Sequence, residues 1–275
     1  MYETNFHKAS TAQDAAALLA KSDDGKILAG GQTLIPTMKQ RLAAPSDLID
    51  LSQVSALRGI TITKRKKMGI MKAEGGETIT IGAMTTHSEV AGDAELVKVC
   101  PVICQLAGNI GDPAVRHRGT IGGSVANNDP AADYPAALLA LGATIHTNAR
   151  EIAAADYFKG MFATALMDDE IITAISFQAP AVAGYGKFPN PASRYAMAGV
   201  FVAKSVEGGV SVAVTGAGDN GVYRHAGLEA ALFADWSAAS VEAVEVSADG
   251  LMSDLHGNAA YRANLIKVMT KRALA

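Results

Sequence analysis

Two pairs of adjacent glycines are the residues best suited to handle a charged ligand. Gly30 and Gly31 stand in Ala29-Gly30-Gly31-Gln32-Thr33-Leu34, after a strand-like run (26–29) and before a helix-like run (34–42) with Pro36 in its first turn. Paired glycines let a backbone turn tightly and aim several N–H groups at an anion, and a following helix N-terminus adds positive potential. Gly122 and Gly123 stand in Thr120-Ile121-Gly122-Gly123-Ser124, between two hydroxyl residues able to donate to phosphate oxygens. Asp133 follows in a stretch rich in Asn, Asp and Pro, and its carboxylate can accept hydrogen bonds from sugar hydroxyls. Two phosphate-cradling turns about 90 residues apart imply a dinucleotide held between two lobes, not on a single Rossmann turn.

The elements that must position these turns follow from periodicity. Ser10, Thr11 or Asp14 can cap a first helix whose apolar stripe is Ala15, Ala16, Leu18 and Leu19. With strands at 26–29 and 47–51, the first 50-odd residues form a small strand–helix–strand unit. Ile60 and Ile62, Met68 and Ile70, then Ile79 and Ile81 alternate at period two, which predicts antiparallel sheet; the basic run Lys64-Arg65-Lys66-Lys67 reads as a solvated hairpin tip. Helices are expected at 89–96 and 101–107. Loop is expected over 108–135, and strands at 143–146 and 171–175. The turn-rich stretch 184–191 reads as a domain boundary. Strands at 199–203 and 210–214 and helices at 237–245 and 258–272 follow.

Composition removes several classes. A chain of 275 residues suggests two compact units, and 49% hydrophobic with 19% charged residues is enough to bury a core and unlike disorder. A net charge of −3 disfavours nucleic acid as a partner. Cys100 and Cys104 are too few for a disulfide framework or the four thiolates of an iron–sulfur cluster. They read as small buried hydrophobes on one helix face in a reducing compartment. No signal peptide and no apolar run of about 18 residues is visible.

Four blocks carry a resemblance: AGGQTLIPTMKQRLAAP, IGAMTTHSEV, NIGDPAVRHRGTIGGSVANNDPAADYPAALLAL and KFPNPASRYAMAGV. In this order, and over nearly the whole chain, they resemble signature blocks of the flavoprotein subunits of molybdenum hydroxylases, the family of carbon monoxide dehydrogenases, xanthine dehydrogenases and bacterial aldehyde or N-heterocycle oxidoreductases. The resemblance implies an α+β chain: a two-lobed FAD-binding domain of the vanillyl-alcohol-oxidase (PCMH) type and a small α+β C-terminal domain of the CO dehydrogenase flavoprotein type. The implied boundaries are 1–56, 57–178 and 179–275.

It further implies that Ala29, Gly30, Gly31, Gln32, Thr33 and Leu34 wrap the FAD pyrophosphate. Thr120, Gly123 and Ser124 hold the other side, and Asp133 binds sugar or ribityl hydroxyls. Ile172 packs near adenine or flavin, Lys187 lies near the flavin, and Tyr195 sits near the isoalloxazine or faces a partner chain. Thr33 stands where serine is more usual and keeps the hydroxyl. Implied partners are a large molybdopterin subunit and a small subunit with two [2Fe–2S] clusters, in a cytoplasmic dimer of heterotrimers. In that reading the chain transfers electrons to an external acceptor and needs no general base, nucleophile or metal of its own. Asp133→Ala is expected to weaken cofactor binding with less effect on folding.

Other signals compete. Gly216-Ala217-Gly218-Asp219-Asn220-Gly221 fits G-x-G-x-x-G, the mark of a nicotinamide-dependent dehydrogenase, but Val222-Tyr223-Arg224-His225 does not start a helix, so it reads as a tight turn with two or three positive φ values. A stand-alone flavin oxidase or dehydrogenase of the same fold would carry a larger substrate domain. A scaffold that had lost its flavin would not need both glycine pairs. His117 reads as a loop residue near the cofactor. Arg116 and Arg118 are read as neutralising phosphate or pairing with local carboxylates.

Overall fold

The structure, a computed structural model, describes residues 1–64 and 76–275. Its larger sheets follow one another along the chain, each formed within one stretch of sequence. The first unit contains β1 (Asn5–Lys8), α1 (Ala12–Leu19), β2 (Gly25–Leu28), α2 (Leu34–Lys39) and β3 (Asp47–Asp50), with a parallel sheet ordered β1-β3-β2. Thr11 caps α1, its hydroxyl accepting from the Asp14 N–H at 3.0 Å. Ala12 and Ala15 bury that helix against Ile49, Leu51 and Val54. Helix α2 stops at Lys39, short of the expected residue 42, and Arg41 then takes a positive φ of 62°.

The second unit begins with the antiparallel pair β4 (Ile60–Lys64) and β5 (Glu77–Gly82). The expected strand through Met68 and Ile70, and the basic tip beyond Lys64, lie outside the described residues. The single helix expected over 89–96 is two, α3 (His87–Gly92) and α4 (Ala94–Val99). Asp93 divides them because its carboxylate caps α4, accepting from Glu95 N and Leu96 N. After α5 (Pro101–Gly108), the stretch expected as loop holds α6 (Pro113–Arg118), α7 (Ile121–Asn127) and the start of α8 (Tyr134–Ala140).

Asp112 and Thr120 are N-caps, Pro113 opens α6, and Asn128 ends α7 in the left-handed region. The polar, turn-like composition thus supplies the ends of short helices. Next come β6 (Thr144–Thr147), β7 (Glu151–Ala153), α9 (Ala154–Tyr157), the small hairpin β8 (Phe158–Gly160) and β9 (Ala163–Thr164), and β10 (Ile172–Gln178). Strand β10 is central in the order β4-β5-β10-β6-β7.

The third unit corrects the expected boundary at 184–191. Those residues belong mostly to β11 (Val182–Pro189), which pairs along its length with β12 (Ala196–Lys204). Gly184 and Gly186 are there because α12 (Ala259–Ala273) presses on the strand: a Cβ at either would fall on the Ala273 or Met269 carbonyl. Strands β13 (Val210–Thr215) and β14 (Tyr223–Arg224) complete the sheet, with α10 (Ala226–Ala234) and α11 (Ala238–Glu242) following.

Alternation on β12 and β13 divides their residues between two cores. Val200, Val202, Val212 and Val214 pack with Leu265, Ile266 and Met269 of α12, whereas Phe201, Ala203 and Ala213 join the core of the second unit. The third unit is therefore packed onto the second through one sheet face. Gly216 and Gly221 have φ of 80° and 90°, and β14 follows them, so Gly216–Gly221 is a turn between antiparallel strands and not a dinucleotide fingerprint.

Candidate functional site

A cleft of about 660 Å³ runs between the first two units and reaches the third. That volume lies in the usual range for cofactor pockets. Its walls include Ala29, Gly30, Gly31, Gln32, Thr33, Leu34, Thr120, Gly123, Ser124, Asp133, Ile172 and Tyr195. Lys187 is not on the wall. It stands behind Asp133.

The first glycine turn leaves β2 and enters α2. Gly31 has φ of +71°, a conformation that favours glycine. Among the described residues, the N–H groups of Gly30, Gly31, Gln32 and Thr33 donate to no protein acceptor. Four successive free donors around a positive-φ residue form a concavity suited to an anion. Gly30 also permits contact between the walls: a Cβ there would overlap the Arg118 carbonyl and come 2.7 Å from Gly119 Cα.

The second glycine pair is built differently. It lies inside α7, and its donors are already used. Gly122 N donates to Ala83 O at 2.9 Å, Gly123 N to the Thr120 hydroxyl at 3.1 Å, and Ser124 N to Thr120 O at 3.0 Å. Thr120 is buried as the N-cap, so its oxygen serves the helix. The glycines here provide room. A Cβ at Gly122 would come 2.6 Å from Ala83 Cβ; one at Gly123 would lie 3.0 Å from Thr120 Oγ1 and 3.7 Å from Ala29 Cβ. Segment 83–87 is stitched to 119–122 through His87 N to Gly119 O and Ile121 N to Thr85 O.

At the far end of the cleft, Asp133 is buried with two donors from β11. Its Oδ1 accepts from the Tyr185 hydroxyl at 2.6 Å and lies 2.9 Å from Lys187 Nζ; Oδ2 accepts from Lys187 at 3.0 Å. Oδ2 retains lone-pair capacity toward the cleft. Burial pushes the Asp133 carboxyl up, and the Lys187 charge and Tyr185 hydrogen bond oppose that shift. Thr215 holds the adjoining backbone, its hydroxyl lying 3.0 Å from Pro130 O and 2.7 Å from Ala132 O. Tyr195 is half-exposed at the cleft mouth. Its phenol is pushed up by burial and by the charges of Asp129 and Asp133.

The remaining wall is the loop leading into Ile172. Glu170 fixes it. Its carboxylate takes Arg150 Nε at 2.8 Å and Nη2 at 2.9 Å, the Thr147 hydroxyl at 2.8 Å and Met167 N at 2.9 Å. The Arg150 hydrogen bonds hold Glu170 down to a pKa of about 2.

Several expectations change. Among the described residues Arg116 pairs with no carboxylate; its Nη1 donates to the carbonyls of Ile110 and Gly111. His117 lies in the last turn of α6, not in a loop. Sequence reasoning passed over Tyr185, Thr215, Glu170 and His87. The first three act through other residues and leave no motif, whereas His87 lies inside a recognised block, IGAMTTHSEV.

A two-walled cleft with an anion-seeking turn on one wall and a glycine-thinned helix on the other defines a protein that holds an extended dinucleotide cofactor. Residues 2–179 match the family described as the FAD binding domain in molybdopterin dehydrogenase. The chain is 35% identical to the carbon monoxide dehydrogenase medium chain of Afipia carboxidovorans, over 98% of this chain and 95% of that one. It is 34% identical to the nicotine 6-hydroxylase medium subunit of Paenarthrobacter nicotinovorans, over 95% and 93%. A chain of the carbon monoxide dehydrogenase structure from Hydrogenophaga pseudoflava superposes with a TM-score of 0.84 at 31% identity, covering 99% of this chain and 96% of that one. The chain belongs to the family of FAD-binding flavoprotein components of molybdopterin-dependent oxidoreductases. Among the described residues no helix is long and apolar enough to cross a membrane.

Proposed function

We propose that this chain is the FAD-binding electron-transfer subunit of a heterotrimeric molybdenum hydroxylase. It takes electrons from the [2Fe–2S] clusters of a small partner subunit and passes them to an external acceptor, while a large molybdopterin subunit oxidises the substrate. The observation that carries this reading is the set of four N–H donors at Gly30–Thr33, without a protein acceptor among the described residues, on the wall of a cofactor-sized cleft that the glycine-thinned α7 also lines. The medium-chain names of full-length relatives support the subunit role.

In this reading Ala29–Leu34 hold the pyrophosphate, with the N–H groups of residues 30–33 as donors. Thr120, Gly123 and Ser124 form the opposite wall, with Gly123 keeping it thin enough for close approach. Asp133 offers its remaining Oδ2 capacity to a sugar or ribityl hydroxyl, and Lys187 with Tyr185 fixes that carboxylate. Ile172 gives an apolar surface for a ring, and Tyr195 covers the mouth beside the isoalloxazine or the partner. FAD, when bound, supplies the capacity to exchange electrons singly or in pairs; the chain supplies binding, orientation and exclusion of water. The units 1–56, 57–178 and 179–275 act as two cofactor lobes and a C-terminal clamp on Asp133. The assembly is a cytoplasmic dimer of heterotrimers.

Co-expression with candidate large and small subunits tests the assignment. The expected result is a stable complex in which substrate reduces the flavin only when the small subunit is present. Flavin reduction by substrate in this chain alone would instead favour a stand-alone dehydrogenase.

A further inference from the structure

His87 opens α3 on the cleft wall and is 4% exposed. Its Nδ1 is sealed from solvent and, among the described residues, meets no hydrogen-bond partner. A buried polar group without a partner is costly, so one this close to a ligand cleft calls for an explanation. The ring is also placed with care. Its main-chain N–H donates to Gly119 O at 2.9 Å, and a Cβ at Gly119 would come 2.7 Å from Nε2. A Cβ at Gly30 would in turn come 2.7 Å from Gly119 Cα. The imidazole therefore lies at the seam where the two glycine-bearing walls meet.

A neutral imidazole carries one N–H. Burial, followed by the Arg116 charge, pushes His87 down to a pKa of about 4, so the ring is neutral near pH 7. With its proton on Nδ1 it would bury an unpaired donor. With the proton on Nε2, the donor lies beside Gly119 in a residue that lines the cleft, and the sealed nitrogen is only an acceptor. We propose that His87 is a further cofactor-binding residue, donating Nε2–H to a phosphate oxygen of the bound dinucleotide. This rests on the FAD reading and adds to the donors of the first turn a side chain that the motif does not announce. A purely structural role, such as the ring contact with Tyr134 at 5.5 Å between centroids, would not respond to ligand.

The test follows the histidine ring nitrogens by ¹H–¹⁵N correlation in the full chain, with His87→Gln assigning the signal. FAD and ADP are each expected to shift the Nε2–H resonance, and riboflavin, which lacks phosphate, is not. In parallel, His87→Leu should weaken FAD binding roughly tenfold or more, with apoprotein melting unchanged or raised because an orphaned polar group is removed. His87→Gln, which can place an amide N–H near the Nε2 position, should recover much of the loss. FAD bound with its visible spectrum perturbed but the His87 resonances unmoved would overturn the proposal alone. A response to FAD and riboflavin but not to ADP would move the contact off the phosphate and overturn it too. No FAD binding by the folded chain would overturn this proposal together with the functional reading beneath it.

Discussion

The two glycine pairs look alike in sequence and work in different ways. Over Gly30–Thr33 the backbone leaves four N–H groups without a protein acceptor among the described residues, and Gly31 takes a positive φ, so the turn is equipped to bind through its donors. At Gly122–Gly123 every N–H is used within the protein, and the glycines bring α7 close to Ala83 and Ala29. One pair offers donors; the other offers absence of bulk. A Gly-Gly motif is therefore not a single device, and what it does depends on whether it precedes a helix or lies within one.

Substitutions can separate these modes. Gly123→Asp should have the largest effect on binding, because its side chain would project toward Ala29 and place a carboxylate beside phosphate. FAD affinity should fall on the order of 100-fold or more, measured by fluorescence titration. Full flavin retention would remove α7 from the site.

Asp133→Ala should act chiefly on stability, which revises the expectation drawn from sequence. It strands a buried Lys187 and an unpaired Tyr185 hydroxyl, costing about 3–5 kcal/mol in urea unfolding, in addition to any loss of cofactor. Asp133→Ala together with Lys187→Met should recover part of that stability.

Gly30→Ala and Gly31→Ala divide the first turn. At Gly30 the Cβ meets the opposite wall, so stability should fall by about 1–3 kcal/mol and FAD affinity with it. At Gly31 the cost is the positive φ, about 1–2 kcal/mol. Equal effects on FAD binding would mean that wall contact at Gly30 has no role in the site.

Glu170→Gln should be the mildest, about 1 kcal/mol, because Arg150 is half-exposed. Glu170 is held down from 4.5 to about 2, so its contribution is complete above pH 4.5 and is lost as pH falls through about 2. The melting difference between wild type and variant should be present at neutral pH and close on acidification. A difference independent of pH would contradict the ion-pair account.

Much of this was legible in the residues. The first glycine turn, the period-two strands around Ile60 and Ile79 and the capping Thr11 all act locally, and local rules recover them. The helices within 108–135 were not legible because their caps and terminators share the composition of loops. Strand β11 was hidden by Gly184 and Gly186, which read as turn residues but exist for contact with α12, a segment about 85 residues away. The partners of Asp133 were invisible for the same reason: a carboxylate's neighbours depend on tertiary packing, and nothing near Asp133 in sequence names Tyr185. Most cleft-lining residues stand in the motif blocks, whereas Tyr185, Thr215 and Glu170, which hold them, leave no motif.

The most direct test of the central claim is the visible absorption spectrum of the purified full-length chain, alone and after adding FAD, with the released cofactor identified. The account predicts a protein-bound flavin spectrum that yields FAD on release and is lost in Gly123→Asp. A folded chain that takes up no flavin even with excess FAD would contradict it.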